Sequence, residues 1–187
     1  PDNLENKIVQ MLEWLKVMCH PDKEIAFFND SALGIAPSFV ELLSYSDRLS
    51  LVFKNNQVNR LTHLKESGYI RVEDENMVII ADVADIGPDY IPGHGHADAL
   101  SFELSLFGKR VIVNSGISTY EIGIDRYKQR STELHSTITI DNQNSSEVWS
   151  GFRVANRAKV FDIKKSEDSN SVKFSACHDG YKKLKDG

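Results

Sequence analysis

The sequence predicts an α+β chain: a short helical segment, then an antiparallel β-sandwich of jelly-roll type that is cut off before completion. Apolar residues recur near every 3.6 positions early in the chain and at every second position after about residue 63. The later strands are short, bounded by Gly, Asn and Asp turns, with no helix between them, which is the texture of a sandwich. The chain also begins at Pro1 and runs from Tyr181 to Gly187 without closing another element, so it reads as a piece of something longer.

The first helix is read over residues 4–18, where Leu4, Ile8, Met11, Leu12, Leu15 and Met18 line one face. His20-Pro21-Asp22 ends it, because the residue before a proline is pushed out of the helical region. Residues 25–28 form a short apolar stretch, and Asn29-Asp30-Ser31 is a turn or cap cluster. A second helix opens at Pro37-Ser38, with Ser38 and Glu41 at capping-box spacing and Phe39, Leu42 and Leu43 as its face. Two helices make a poor core, so this segment is expected to complete a larger helical assembly.

Residues 54–63 are polar and read as a linker, which puts the helical part at 1–62 and the sandwich at 63–187. Residues 69–72 and 77–80 flank Asp74-Glu75-Asn76 as a hairpin. Leu100, Phe102, Leu104 and Leu106 alternate with polar residues as in a half-buried strand, and Phe107-Gly108-Lys109 turns the chain into a strand over 110–113. Further strands are expected at 135–141, 152–163 and 171–177.

Bulk properties exclude several classes. The 187 residues carry a formal net charge of −5 and are 41% hydrophobic, with a mean hydropathy of −0.34. There is no basic run beyond the pairs Lys164-Lys165 and Lys182-Lys183, which argues against a nucleic-acid footprint. No apolar run reaches membrane-spanning length. Cys19 and Cys177 belong to no metal or redox spacing, and two cysteines alone imply no disulfide.

Chemistry concentrates in Gly93-His94-Gly95-His96-Ala97-Asp98. In extended backbone, positions two apart share a face, so both imidazoles are expected to enter one space. The glycines are expected to leave room for a ligand. His135 is the next candidate, also at the start of an expected strand; two histidines and a carboxylate suit zinc, whereas Asn114 is a weak ligand. Arg126 and Arg130, four apart in a polar loop, present planar forks suited to carboxylate or sulfate. Tyr120 and Tyr90 offer phenols to a sugar, and Trp149, Phe152 and Arg153 a stacking platform.

The ordered series from Gly93-His94-Gly95-His96 through Phe102, then Gly108, Asn114-Ser115-Gly116, Tyr120, Arg126, Arg130, His135, Trp149 and Phe152-Arg153 resembles the C-terminal part of the heparinase II/III-like polysaccharide lyases. The likeness covers residues 87–163, and more loosely residues 1–53 with Phe28-Asn29-Asp30-Ser31. It implies an (α/α) toroid followed by an antiparallel sandwich, with an acidic polysaccharide held between them. Cleavage would be β-elimination at a uronic acid, of heparan, alginate or bacterial exopolysaccharide type. His94 takes the place of the family's catalytic histidine, and His96 and His135 those of two zinc ligands. Asn114 stands where the family has an aspartate, a change that removes charge from the ligand set. The resemblance puts the catalytic tyrosine and the carboxylate-neutralising asparagine upstream of Pro1, which leaves this piece inactive alone. It also implies a bacterial periplasmic or secreted setting. The competing readings are a non-catalytic carbohydrate-binding sandwich and a cupin-like metal enzyme, although Glu103 falls too late for a cupin ligand and no Pro-x-Gly-x-x-His element follows.

Overall fold

The computed structural model describes residues 2–53 and 58–185. Helix α1 spans Asp2–Val17 and α2 spans Phe39–Arg48. Ser38 caps α2 as its spacing predicts: its hydroxyl accepts from the Glu41 N–H, and the Glu41 carboxylate accepts from the Ser38 N–H at 2.8 Å. Only part of the apolar face of α1 is covered, since Leu12 is buried while Leu4 and Met11 are exposed. Arg71, a buried sheet residue, ends α1 by donating to the carbonyls of Val17 (2.9 Å) and Cys19 (2.7 Å). A cation at a helix C-terminus satisfies carbonyls that have no intrahelical donor.

Five strands form one antiparallel sheet in sequence order: β1 (Leu61–Leu64), β2 (Tyr69–Asp74), β3 (Met77–Asp82), β4 (Phe102–Leu106) and β5 (Lys109–Ile112). The β2–β3 and β4–β5 hairpins fall where the alternation puts them. Phe107 (φ 50°) and Gly108 (φ 77°) make the second turn, two left-handed residues whose twist suits a two-residue hairpin.

The two sheet faces have separate jobs. Ile70 and Val72 face the hairpin of β8 (Val160–Glu167) and β9 (Val172–His178), packing on Val160, Val172, Phe174 and Ala176. Tyr69, Val78 and Ile80 face the other way, onto Met18, Ala26 and Phe28 of the helical segment. Both faces of β2 and β3 are thus covered, the layered arrangement expected of a sandwich that carries helices on one side.

Four expectations change. The stretch read as linker contains β1, although residues 54–57 lie outside the described residues. No strand forms at 135–141; the chain makes a 3₁₀ turn at Thr132–Leu134 and one isolated bridge between Ile140 and Gln143. The strand expected at 152–163 is two: β7 (Arg153–Ala155), paired with β6 (Glu147–Trp149), and the start of β8. The loop around the two arginines is helix α3, Ile124–Arg130.

Candidate active site

The site assembles where the helical segment meets the sandwich, and its centre is Asp30. Asn29 adopts the left-handed conformation (φ 52°) that asparagine tolerates, and the Ser31 hydroxyl donates to the Phe28 carbonyl at 2.6 Å. This tight turn aims the Asp30 carboxylate at the sandwich. One oxygen meets His94 Nδ1 at 2.6 Å and the other meets His96 Nε2 at 2.8 Å. Arg126 grips both oxygens through its two terminal nitrogens. Burial alone would raise the Asp30 carboxyl, but hydrogen bonds from His96, Arg126 and His94 outweigh it and hold the group far below the usual carboxylate range.

His94 and His96 do not sit in a strand. Pro92–His94 is a 3₁₀ turn, so strict alternation fails and the two rings leave the backbone differently: the His94 side chain is 64% exposed, that of His96 1%. The glycine before each of them serves packing rather than ligand access. A Cβ at Gly93 would meet the Phe152 carbonyl at 3.2 Å, and one at Gly95 would meet Ile86 Cγ2 and the Pro92 carbonyl, each at 3.1 Å.

Around His94 stand two aromatic rings, Tyr120 at 5.9 Å and Phe152 at 5.5 Å between centroids, themselves 5.4 Å apart. Tyr120 and Phe152 are each partly open to solvent. Behind them the Arg126 guanidinium lies 5.2 Å from the Tyr120 ring centroid and 5.1 Å from that of Phe152. The three rings form a triangle of edge-to-face contacts, with the His94 imidazole open to solvent.

Arg126 and Arg130, expected as substrate contacts, are both fully buried and face the chain's own acceptors. Arg126 is spent on Asp30 and the Gly151 carbonyl (3.0 Å). Arg130 donates to the carbonyls of Gly95 (3.0 Å) and Arg153 (3.2 Å), and more distantly to Trp149 and Ser150. Burial, and then the neighbouring Arg126 charge, bring Arg130 down to about 10. The two arginines fix the histidine turn to the β6–β7 hairpin.

Behind His94 lies a donor set for a metal ion. His135 Nδ1 faces the Ser131 carbonyl at 2.8 Å, an acceptor only, so that nitrogen carries the hydrogen and Nε2 is bare. A neutral His96 that donates from Nε2 to the Asp30 carboxylate has a bare Nδ1 as well. These two nitrogens lie 3.1 Å apart. In those tautomers two lone pairs face each other, and either a shared proton or a metal cation between them relieves the repulsion. Burial pushes the His135 imidazole down, which disfavours a proton in that role. Asp98 completes the set: ligand atoms of His96, Asp98 and His135 lie within 4.8 Å of one another, and Asp98 Oδ2 is buried without a hydrogen-bond partner. The residues therefore fit a small divalent ion. Asn114 is tied to the backbone just after His135. Its Oδ1 accepts from the Ser136 N–H at 2.8 Å, and its Nδ2 is buried without a partner.

Residues 56–187 match the family model described as Heparinase II/III-like, C-terminal. The chain belongs to the heparinase II/III-like family. Solved structures share the fold. A heparan sulfate lyase HepC mutant from Pedobacter heparinus is 20% identical with a TM-score of 0.72, over 97% of this chain and 30% of that one. A crystal structure of heparinase III is 16% identical with a TM-score of 0.64, over 89% of this chain and 29% of that one. The chain thus spans under a third of the length of these structural relatives. Among curated proteins none matches.

Sequence reasoning in this heparinase II/III-like chain found His94, His96 and His135. It passed over Asp98, although that residue stands two positions after His96. Asp30 was visible only as a turn residue, because nothing local links it to histidines 64 and 66 positions away.

Proposed function

We propose that this chain is the sandwich-side part of a polysaccharide lyase that cleaves a uronic-acid glycan by β-elimination. The observation that carries the reading is His94: an exposed imidazole, held at Nδ1 by a buried carboxylate and packed against the Tyr120 and Phe152 rings. With Nδ1 engaged, Nε2 is the atom that exchanges a proton with the sugar. β-Elimination removes the C5 proton beside the uronate carboxylate and expels the 4-linked oxygen, leaving an unsaturated sugar. The C–H is weakly acidic, so an acid/base group must act while the developing enolate is stabilised. Tyr120 contributes a face and a phenol to the sugar, and Arg126 and Arg130 shape the site from behind. The family's tyrosine and asparagine would come from a helical toroid, of which residues 1–62 form the end and 63–187 the adjoining sandwich.

The proposed metal is zinc, held by His96, Asp98 and His135, with Asn114 alongside. Its charge would stabilise the clustered imidazoles and carboxylate that support His94. A cupin-like enzyme would need His94 and His96 on the same metal, but His94 is turned to Asp30 and solvent. No helix among the described residues is long and apolar enough to cross a membrane, and the proposed setting is periplasmic or secreted.

The test is to incubate the full-length parent with a panel of uronate polysaccharides and follow ultraviolet absorbance of the unsaturated product. Product formation, abolished by His94→Ala, supports the lyase reading. No product from any member of the panel refutes it in favour of a carbohydrate-binding domain.

A further inference from the structure

We infer that Asp30 is a positioning residue for His94, one that fixes which ring nitrogen faces the substrate. The inference rests on the lyase reading for its catalytic meaning, though not for its structural content.

The carboxylate receives N–H groups from three side chains at once, His94, His96 and the Arg126 guanidinium, and its side chain is only 6% exposed. The bidentate guanidinium keeps Asp30 anionic, and an anionic carboxylate only accepts. A neutral His94 facing it at 2.6 Å must therefore carry its hydrogen on Nδ1. Nε2 is left as a lone pair on the exposed side of the ring, where no described residue engages it. In the absence of Asp30, a neutral solvent-exposed imidazole interconverts between two tautomers and turns about its side-chain bonds. The T-shaped contacts with Tyr120 and Phe152 limit the ring plane but do not distinguish its nitrogens.

The carboxylate also comes from the other side of the junction. Asp30 lies in the segment between α1 and α2, whereas His94 lies between β3 and β4. His94 is thus presented correctly only when the helical segment is seated on the sandwich. Because the second Asp30 oxygen holds His96, the exposed histidine and the buried one are fixed by the same group.

The test has two arms on the full-length parent chain. In the first, ¹⁵N-labelled histidine is observed by long-range proton–nitrogen correlation above the imidazole titration range, with His94 assigned by His94→Gln. The expected signature is a protonated Nδ1 and a bare Nε2. A protonated Nε2, or averaged nitrogens, overturns the inference without any assay of activity. In the second arm Asp30→Ala is compared with wild type on the glycan that the parent cleaves. The expected result is a kcat loss of about 100-fold, the scale of a misplaced catalytic group, with KM changed less than about threefold. Unchanged kcat overturns the positioning role. Should Asp30→Ala fail to fold, Asp30→Asn takes its place, and the expected loss is smaller in the same direction. If the parent cleaves no glycan, the lyase reading fails while the first arm still decides the tautomer.

Discussion

Removing the Glu103 carboxylate should loosen the joint on which the site depends. Glu103 is fully buried on β4 and accepts from His20 Nε2 at 2.9 Å, the Phe27 N–H at 3.0 Å and the Asn114 N–H at 2.9 Å. Arg110 reaches it at 3.5 Å. Glu103→Ala leaves two backbone N–H groups without acceptors at about 1–3 kcal/mol each, and strips His20 of its carboxylate. The sum centres on about 4 kcal/mol, within the range for breaking a buried charged pair, and is a large part of the roughly 5–15 kcal/mol that a domain possesses. Glu103→Gln keeps one oxygen for the two N–H groups and lets His20 switch tautomer against Ser105, 2.8 Å from its Nδ1. Its expected loss is only about 1–2 kcal/mol. Urea unfolding followed by both fluorescence and circular dichroism measures the two differences. Equal losses in the two variants, or a loss below about 1 kcal/mol in Glu103→Ala, would refute the assignment of Glu103 as the acceptor that seats residues 25–28.

Two further outcomes follow from the site and the core. Zinc at a hundredfold excess over its dissociation constant should stabilise the chain by about 2.7 kcal/mol, and a chelator should reverse the gain. His135→Ala and Asp98→Asn should abolish or weaken the shift in thermal scans while Asn114→Ala retains it; if Asn114→Ala alone abolishes it, the ligand set is wrong. In alkali, burial holds the Cys19 thiol at about 11 against an ordinary 9.0 and raises the Tyr69 phenol above its ordinary 10.0. Both protons are bound more tightly in the folded chain than in the unfolded one. Their stabilisation is whole below pH 9 and declines as pH rises through about 11. Cys19→Ala should flatten that decline by at most about 2 kcal/mol in denaturation curves taken from pH 8 to 11, and an unchanged slope would show that the thiol does not contribute.

The sequence made the regular parts of the fold legible because their buried faces are apolar. The β2–β3 hairpin and the capping box of α2 both follow from side-chain spacing and local hydrogen bonding. Helix α3 was invisible for the opposite reason. Its buried face is Arg126 and Arg130, one turn apart, and hydrophobic periodicity cannot detect a face made of guanidinium groups satisfied by Asp30 and by carbonyls. The strand expected at 135–141 failed because alternation there is not enforced by a partner. Ser136 instead spends its N–H on Asn114 and its hydroxyl on the Val113 carbonyl. His94 and His96 were found as residues, but their geometry depended on a 3₁₀ turn that Pro92 starts and that an alternation rule does not foresee.

The polar contacts that cross the junction between the helical segment and the sandwich were hidden in the sequence as well. Arg71 reaches from β2 to the end of α1, Glu103 from β4 to His20 and Phe27, and Asp30 from the α1–α2 connection to both histidines. Arg110 joins them, bonding to Asp22 at 2.8 Å and to the carbonyls of Glu24 and Ile25. These contacts are polar, mostly buried and distant in sequence, so each is costly to leave half-made. A junction built this way tolerates little sliding, because a small displacement breaks several charged hydrogen bonds together rather than one apolar contact gradually. That stiffness suits a site whose exposed histidine belongs to one side and whose orienting carboxylate belongs to the other. It follows that variants at Arg71, Arg110 and Glu103, none of which touches His94, should alter the His94 tautomer through Asp30, whereas a variant of equal cost on the opposite sheet face, such as Val72→Ala, should not.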